Sequence, residues 1–181
     1  MSQVLNYKFY MRNLFYLLTF TATILSFNAC KDNSDIDAWR EANISAYQAI
    51  TRNWEYRELK TETGPTGVYY KVIKSGTGTE YPIQTSKVKV LYKGSFYEGT
   101  VFDPGTSGND VPVEFFLTST VRGFSFAVQN MVVGDKWEIW IPYYLGYGID
   151  GQYDYYSGRT LIKGYTTLVF EVELVSITQY P

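Results

Sequence analysis

Residues 87–103 read KVKVLYKGSFYEGTVFD, and the start of this stretch indicates the fold of the chain. Lysine and valine alternate at its first four positions, which places Val88 and Val90 on one face, as in a half-buried β-strand. Outward from it, similar patterns predict strands at 68–73, 113–117, 136–141 and 167–177, and one short helix at 124–131. Several strands around a lone helix predict an α+β fold with a mainly antiparallel sheet.

Short motifs follow one another along this predicted sheet. In chain order they are VKVLYKG (88–94), GTVFD (99–103), VEFFL (113–117), VRGF (121–124), MVVGDK (131–136), IP (141–142), LGYG (145–148) and TLVFEVEL (167–174). In this order and spacing they resemble the FKBP-type peptidyl-prolyl cis-trans isomerase family across about residues 68–177. The resemblance implies a bent antiparallel sheet wrapped on one short helix, with an apolar pocket between them.

The resemblance also implies which residues form the pocket. The catalytic residues would be Tyr92, Phe102, Asp103, Val121, Phe124, Tyr147 and Phe170, with further substrate contacts from Val113 and Ile162. Tyr153, in the expanded loop described below, is another expected substrate contact. The Tyr147 hydroxyl and the Val121 backbone N–H would hold substrate carbonyls. In an alternative interpretation the three phenylalanines are plain core residues and Asp103 only starts a turn before Pro104. Phe115 is expected in the core on either interpretation.

The sequence departs from the family pattern around this pocket. Phe124 stands where the family usually has a Trp, and residues 161–164 (LIKG) replace an expected Ile-Pro-Pro-like segment. The loop 149–160 is expanded and contains Tyr153, Tyr155 and Tyr156. Exposed tyrosines with Gly and Ser are typical of adaptable binding surfaces. Whether this loop is such a surface or packs back on the domain stays open at this point.

Composition restricts the chemistry. The chain of 181 residues has no His, one Cys and a formal charge of −2. This excludes His-dependent triads, His-ligated metal sites and a disulfide within the chain, and it gives no electrostatic basis for nucleic-acid binding. Asp150 and Asp154 are too few ligands for a calcium site, so no metal and no cofactor is expected.

The N-terminal segment 1–30 has the pattern of an export signal. Lys8 and Arg12 precede an apolar run at 14–27, which is shorter than the roughly 20 residues needed to span a bilayer. The sequence LSFNAC (25–30) resembles a loose lipoprotein signal, which would make Cys30 the lipidated residue. The expected location is then the envelope of a bacterium, with the protein anchored in the membrane through Cys30. Ordinary signal cleavage that leaves a free thiol, and a start at Met11, are the alternatives.

An amphipathic helix is predicted between the signal and the sheet. Ser34 with Asp37 resembles a helix start, and apolar residues at three- and four-residue steps continue to about Tyr56. Packing on its own domain is the favoured interpretation, and docking or dimerisation is the alternative. The expected organisation is a signal at 1–30, a helix and linker at 31–66, and the FKBP-like domain at 67–181.

The function implied by the resemblance is prolyl isomerisation. A peptide bond resists rotation by about 18–20 kcal/mol because resonance gives the C–N bond double-bond character. A pocket that favours the twisted amide needs neither a nucleophile nor a proton shuttle, which suits a chain without His. The expected substrates are proline-containing segments of exported proteins whose folding it assists. The alternatives are a catalytically weak peptide-binding or chaperone module and, as a weaker third, a glycan-binding one.

Overall fold

The computed structural model describes residues 31–106 and 110–179. In chain order the elements are α1 (Lys31–Thr51), β1 (Arg57–Thr61), β2 (Gly64–Lys74), β3 (Lys87–Phe96), β4 (Val101–Asp103), β5 (Val113–Phe116), α2 (Arg122–Val128), β6 (Lys136–Ile141), β7 (Gln152–Asp154), β8 (Arg159–Ile162) and β9 (Leu168–Gln179). The chain divides into two compact units between Ala38 and Trp39, within α1, and the second unit contains all of the strands named. The predicted signal segment and Cys30 lie outside the described residues.

One antiparallel sheet carries most of the strands. Its order is β1-β2-β6-β9-β3-β4, with β5 also pairing with β3, while β7 and β8 form a separate hairpin. Within β3, Val88 and Val90 are fully buried and Lys89 is exposed, as the alternation predicts. The α+β prediction with its antiparallel sheet and short helix is confirmed.

Helix α2 packs against the sheet and closes the core. Phe124, Ala127 and Val128 are buried against the strands. The helix approaches β6 closely because Gly123 has no side chain: a Cβ there would lie 2.3 Å from Cγ2 of Ile141. This close approach fixes the start of α2, and the pocket described below is built around it.

Several element limits differ from the sequence-based prediction. Helix α1 ends at Thr51 rather than near Tyr56, and Ser34 lies inside it rather than at its start. The segment expected to be a linker contributes strand β1, which pairs with β2 at the sheet edge. Strands β4, β7 and β8 have three or four residues each, too few for a period of two to stand out. The domain limits proposed from the sequence stay a prediction.

Helix α1 packs on its own domain, which is the interpretation favoured above. The Trp39 ring meets Phe96 edge-on at 5.7 Å between centroids, and Tyr47 meets Tyr69 at 5.9 Å. Trp54, which was expected on the apolar face of the helix, lies beyond its end and is 90% exposed. Among the described residues, no helix has the length and apolarity that crossing a bilayer requires.

Asp135 ties the loop after β2 to the turn before β6. Its carboxylate accepts hydrogen bonds from the backbone N–H of Gly76 at 2.7 Å and of Val132 at 2.8 Å, and the residue is buried. Buried N–H groups left without an acceptor cost more than the hydrogen bond contributes when it is present.

We therefore expect Asp135→Ala to lower the free energy of unfolding by about 3 kcal/mol, measured by urea denaturation, because two partly buried backbone donors lose the acceptor that a buried carboxylate supplies. Asp154→Ala is the matched control. The Asp154 carboxylate also accepts two hydrogen bonds, from the Tyr156 backbone and the Ser157 hydroxyl, but in an accessible hairpin. Equal urea midpoints for the two variants would contradict this role of Asp135.

Candidate active site

A cavity of about 470 Å³ opens between the start of α2 and the inner face of the sheet. Its wall consists of residues from five strands, from α2 and from the segments before α2 and after β6, namely Tyr92, Asp103, Phe115, Ser119, Thr120, Val121, Phe124, Tyr147, Gln152 and Phe170. Six of the seven residues expected to be catalytic are among them. Phe102 is the exception.

Aromatic rings form the floor of the cavity. Phe124 and Phe170 are 4% and 6% exposed, and their rings meet edge-on with centroids 5.2 Å apart. Phe115 lies 5.9 Å from Phe124, and Tyr92 lies 6.3 Å from it. Edge-to-face contacts at such distances are favourable for aromatic pairs, so the floor is apolar and firmly packed.

Asp103 and Tyr92 form a hydrogen-bonded pair at one side of the cavity. The Tyr92 hydroxyl donates to Oδ2 of Asp103 at 2.9 Å, while Oδ1 accepts from the Gly105 backbone N–H at 2.9 Å. Asp103 therefore both shapes the turn before Gly105 and belongs to the cavity wall. Burial, together with the hydrogen bond to Asp103, raises the pKa of Tyr92 to about 12, so its hydroxyl stays a donor at neutral pH.

Thr106 fixes the backbone around this pair. Its Oγ1 accepts a hydrogen bond from the Tyr92 backbone N–H at 2.9 Å, and its own N–H donates to the Tyr92 carbonyl at 3.0 Å. The loop after β4 is thereby attached to β3. Sequence reasoning did not identify Thr106, because a lone Thr in a turn carries no distinguishing signal.

Two hydrogen-bond donors in the cavity wall remain available. The Tyr147 hydroxyl and the Val121 backbone N–H have no acceptor within residues 31–106 and 110–179. Burial, with a smaller contribution from the charge of Asp103, raises the pKa of Tyr147, so this hydroxyl also keeps its proton. Val121 immediately precedes α2 and has extended backbone geometry. A ligand carbonyl in the cavity could accept from either group.

Four of the residues predicted for the site do not line the cavity. Phe102 lies behind Phe170, edge-on at 5.7 Å, and packs on Phe96. Ile162 is 3% exposed within the core, and Val113 is partly exposed on β5. Tyr153 lies on the β7–β8 hairpin, where it contacts Tyr155 rather than the cavity.

The structure adds residues that the sequence did not indicate. Phe115 was expected in the core, but it is only partly buried and lines the cavity together with Ser119, Thr120 and Gln152. Phe115 pairs with Val88 and so shares the inner face of the sheet, and this register is known only once the strands are paired. Gln152 begins β7, which no pattern predicted.

The tyrosine-rich loop is an exposed hairpin. Tyr155 and Tyr156 are 88% and 104% exposed, which decides the open question about this loop in favour of an exposed surface. Asp154 is held by local hydrogen bonds within the hairpin. Across the part of the chain that the structure describes, no three Asp, Glu or Cys side chains cluster as metal ligands would.

Comparison with known proteins agrees with this geometry. The family model for FKBP-type peptidyl-prolyl cis-trans isomerases matches residues 78–175. The FKBP-type 22 kDa isomerase of Escherichia coli is 39% identical over 144 residues, which cover 78% of this chain and 66% of that protein. The outer membrane protein MIP of Legionella longbeachae is 34% identical over 113 residues, covering 62% and 45%. The chain thus spans about half to two thirds of the length of these relatives.

Solved structures show the same fold. A peptidyl-prolyl cis-trans isomerase from Pseudomonas syringae superposes with a TM-score of 0.65 at 31% identity, covering 79% of this chain and 96% of that one. FkpA of Escherichia coli superposes with a TM-score of 0.66 at 26% identity, covering 92% and 71%. Since the family model covers more than half of the sequence and the fold agrees, this chain belongs to the FKBP-type peptidyl-prolyl cis-trans isomerase family.

Proposed function

We propose that the protein is a peptidyl-prolyl cis-trans isomerase. The observation that carries the proposal is the pairing of an apolar aromatic floor with two unoccupied hydrogen-bond donors in one cavity. Family membership supports it. The substrates are proline-containing segments of polypeptides, as the family name implies.

The geometry suits rotation about an X-Pro bond. The proline ring packs on Phe124 and Phe170, and the carbonyl oxygens on either side accept from Tyr147 and from the Val121 backbone. A twisted amide has lost its resonance dipole, so an apolar floor favours it over the planar ground state. Lowering the barrier by about 8 kcal/mol accelerates the rotation by about 10⁶-fold.

The Tyr92–Asp103 pair acts as a fixed wall in this proposal. The Tyr92 hydroxyl donates to Asp103 within the pair, so it is not free to donate to the substrate. No proton is transferred, because both cavity tyrosines keep their protons at neutral pH. Catalysis is then a matter of an apolar shape that favours the twisted amide and of hydrogen bonds that hold the substrate in place while it turns.

The test follows cis-to-trans conversion of X-Pro peptides with the chain from Lys31 onward. We expect acceleration by the unmodified protein, and Tyr147→Phe should lower kcat/KM about tenfold because one hydrogen bond to the twisted amide is lost. Asp103→Ala should lower it as well by releasing Tyr92, whereas Phe124→Trp should retain activity.

Tyr155→Phe is the matched control, since it removes a hydroxyl of the same type from a residue outside the cavity. Its kcat/KM should equal that of the unmodified protein. Absence of acceleration for every X residue, in a sample whose circular dichroism shows the folded protein, would refute isomerase activity.

A second candidate function is peptide binding with weak or no turnover. The exposed tyrosines of the β7–β8 hairpin favour it, because Gln152 at the base of this hairpin also lines the cavity. A polypeptide held in the cavity would extend over these rings, and Tyr153 would then contact substrate outside the cavity itself.

We expect the double variant Tyr155→Ser/Tyr156→Ser to bind an unfolded model protein at least about tenfold more weakly, because two exposed aromatic contacts are lost. Turnover of short X-Pro peptides should stay unchanged, since they do not reach the hairpin. Binding by fluorescence anisotropy and turnover are measured on the same sample. Unchanged affinity would exclude the hairpin as a binding surface.

We further propose that the protein is exported and acts on exported proteins, anchored in a bacterial envelope through lipidated Cys30. The apolar run at 14–27 followed by Ala29-Cys30 supports this. One relative carries the name outer membrane protein MIP, which agrees with an envelope location.

Metabolic labelling with a fatty-acid analogue tests the anchor. The full chain expressed in a bacterium should incorporate label and fractionate with membranes, and Cys30→Ser should abolish both because the thiol is the acylated group. Label that persists in Cys30→Ser would exclude Cys30 as the anchor.

A further inference from the structure

Helix α1 is joined to the body of the domain by a buried polar side chain. Asn43 is 0% exposed, and both polar atoms of its side-chain amide form hydrogen bonds. Its Nδ2 donates to the Trp39 carbonyl at 2.9 Å, and its Oδ1 accepts from the Thr167 backbone N–H at 2.8 Å. A fully buried amide costs folding free energy unless it is hydrogen-bonded, so a residue satisfied in this way holds its partners in one arrangement.

Two further bonds reinforce the junction. The Thr167 hydroxyl donates to the Asn43 carbonyl at 3.3 Å, and Nε1 of Trp39 donates to Oγ1 of Thr166 at 3.1 Å. Both threonines are at most 3% exposed. Helix α1 is therefore hydrogen-bonded to Thr166 and Thr167, the two residues that precede β9, through main-chain as well as side-chain atoms.

Those two residues follow the segment 162–165, which contacts the loop that carries Tyr147. Tyr165 has a left-handed backbone (φ of 61°), and its N–H donates to the Gly148 carbonyl at 3.0 Å. A non-glycine residue in this region persists only where its surroundings hold it. Gly148 follows Tyr147 directly in the chain. The hydrogen bond from Tyr165 therefore holds the backbone next to the residue that carries the free hydroxyl donor.

The backbones of the two loop segments are also in close contact. A Cβ at Gly164 would lie 1.8 Å from the Ile149 carbonyl oxygen, and a Cβ at Gly151 would lie 2.1 Å from that of Ile162. Residues 148–151 and 162–165 are thus packed backbone to backbone. A displacement at Thr166–Thr167 would be passed to Tyr147 rather than absorbed between them.

We propose that Asn43 is a positioning residue, which acts through Thr167 and Tyr165 to hold the Tyr147 hydroxyl at the cavity. Its effect on turnover rests on the isomerase function proposed above, but its effect on the loop does not. Helix α1 is in this sense part of the site, although none of its residues lines the cavity. The proposal rests on the hydrogen bonds that Asn43 forms with Trp39 and Thr167 in this chain.

The test compares Asn43→Ala with Tyr56→Phe in the chain from Lys31 onward. Tyr56→Phe is the control, because it removes a hydrogen bond between distant segments, from the Tyr56 hydroxyl to Glu138 at 2.6 Å, away from the loop. Trp39→Phe is a milder second variant. It keeps an aromatic ring against Phe96 but loses the donor to Thr166, in case Asn43→Ala does not fold.

Amide hydrogen exchange is the first readout. We expect exchange in residues 143–151 and 162–167 to rise about tenfold or more in Asn43→Ala and less in Trp39→Phe, with β3 unchanged. The second readout is turnover. In Asn43→Ala, kcat should fall about tenfold with little change in KM, because a displaced hydroxyl no longer holds the bound amide in the orientation from which it twists. Tyr56→Phe should change neither.

The outcomes separate the two proposals. Faster loop exchange in a protein without isomerase activity would refute the proposed function and leave the positioning role standing. Exchange that rises uniformly, or equally in Tyr56→Phe, would overturn the positioning role. So would lost turnover without a change in the loop.

Discussion

Strands β3 and β9 run antiparallel through the middle of the sheet, from Lys87 opposite Gln179 to Phe96 opposite Leu168. Each contributes one aromatic wall of the cavity, Tyr92 from β3 and Phe170 from β9, with ring centroids 6.4 Å apart. A slip of one residue in this pairing would send one of the two rings to the opposite face. The register of β3 and β9 therefore fixes the position of the site on the sheet, independently of the loops.

Around this pair the cavity combines groups of two kinds. The Tyr92 hydroxyl donates a hydrogen bond to Asp103, and Thr106 attaches the loop after β4 to the Tyr92 backbone. The Tyr147 hydroxyl and the Val121 N–H are held in place but have no acceptor among the described residues. A site that works by preferring one shape of a bound amide needs fixed walls and free donors. With both already in place, no protein group has to be reorganised as the amide bond turns.

The sequence predicted the long elements and most of the cavity, for different reasons. Strands such as β6 and β3 were found because period two is clear over six or more residues, whereas β1 was hidden in an expected linker. The candidate site residues came from the family resemblance, and Tyr147 and Phe124 are among those that line the cavity. The resemblance did not reveal Phe115, whose position depends on register, or Asn43, whose partner Thr167 lies 124 residues away in the chain.

The β7–β8 hairpin leaves the domain through a narrow base. Residues 148–151 and 162–165 are packed without room for added side chains at Gly151 and Gly164, while the tip is open to solvent. Substitutions or insertions at the tip therefore add side chains to solvent rather than to the packed base. Natural variation, or a designed graft, would change this exposed surface and leave the residues that line the cavity in place.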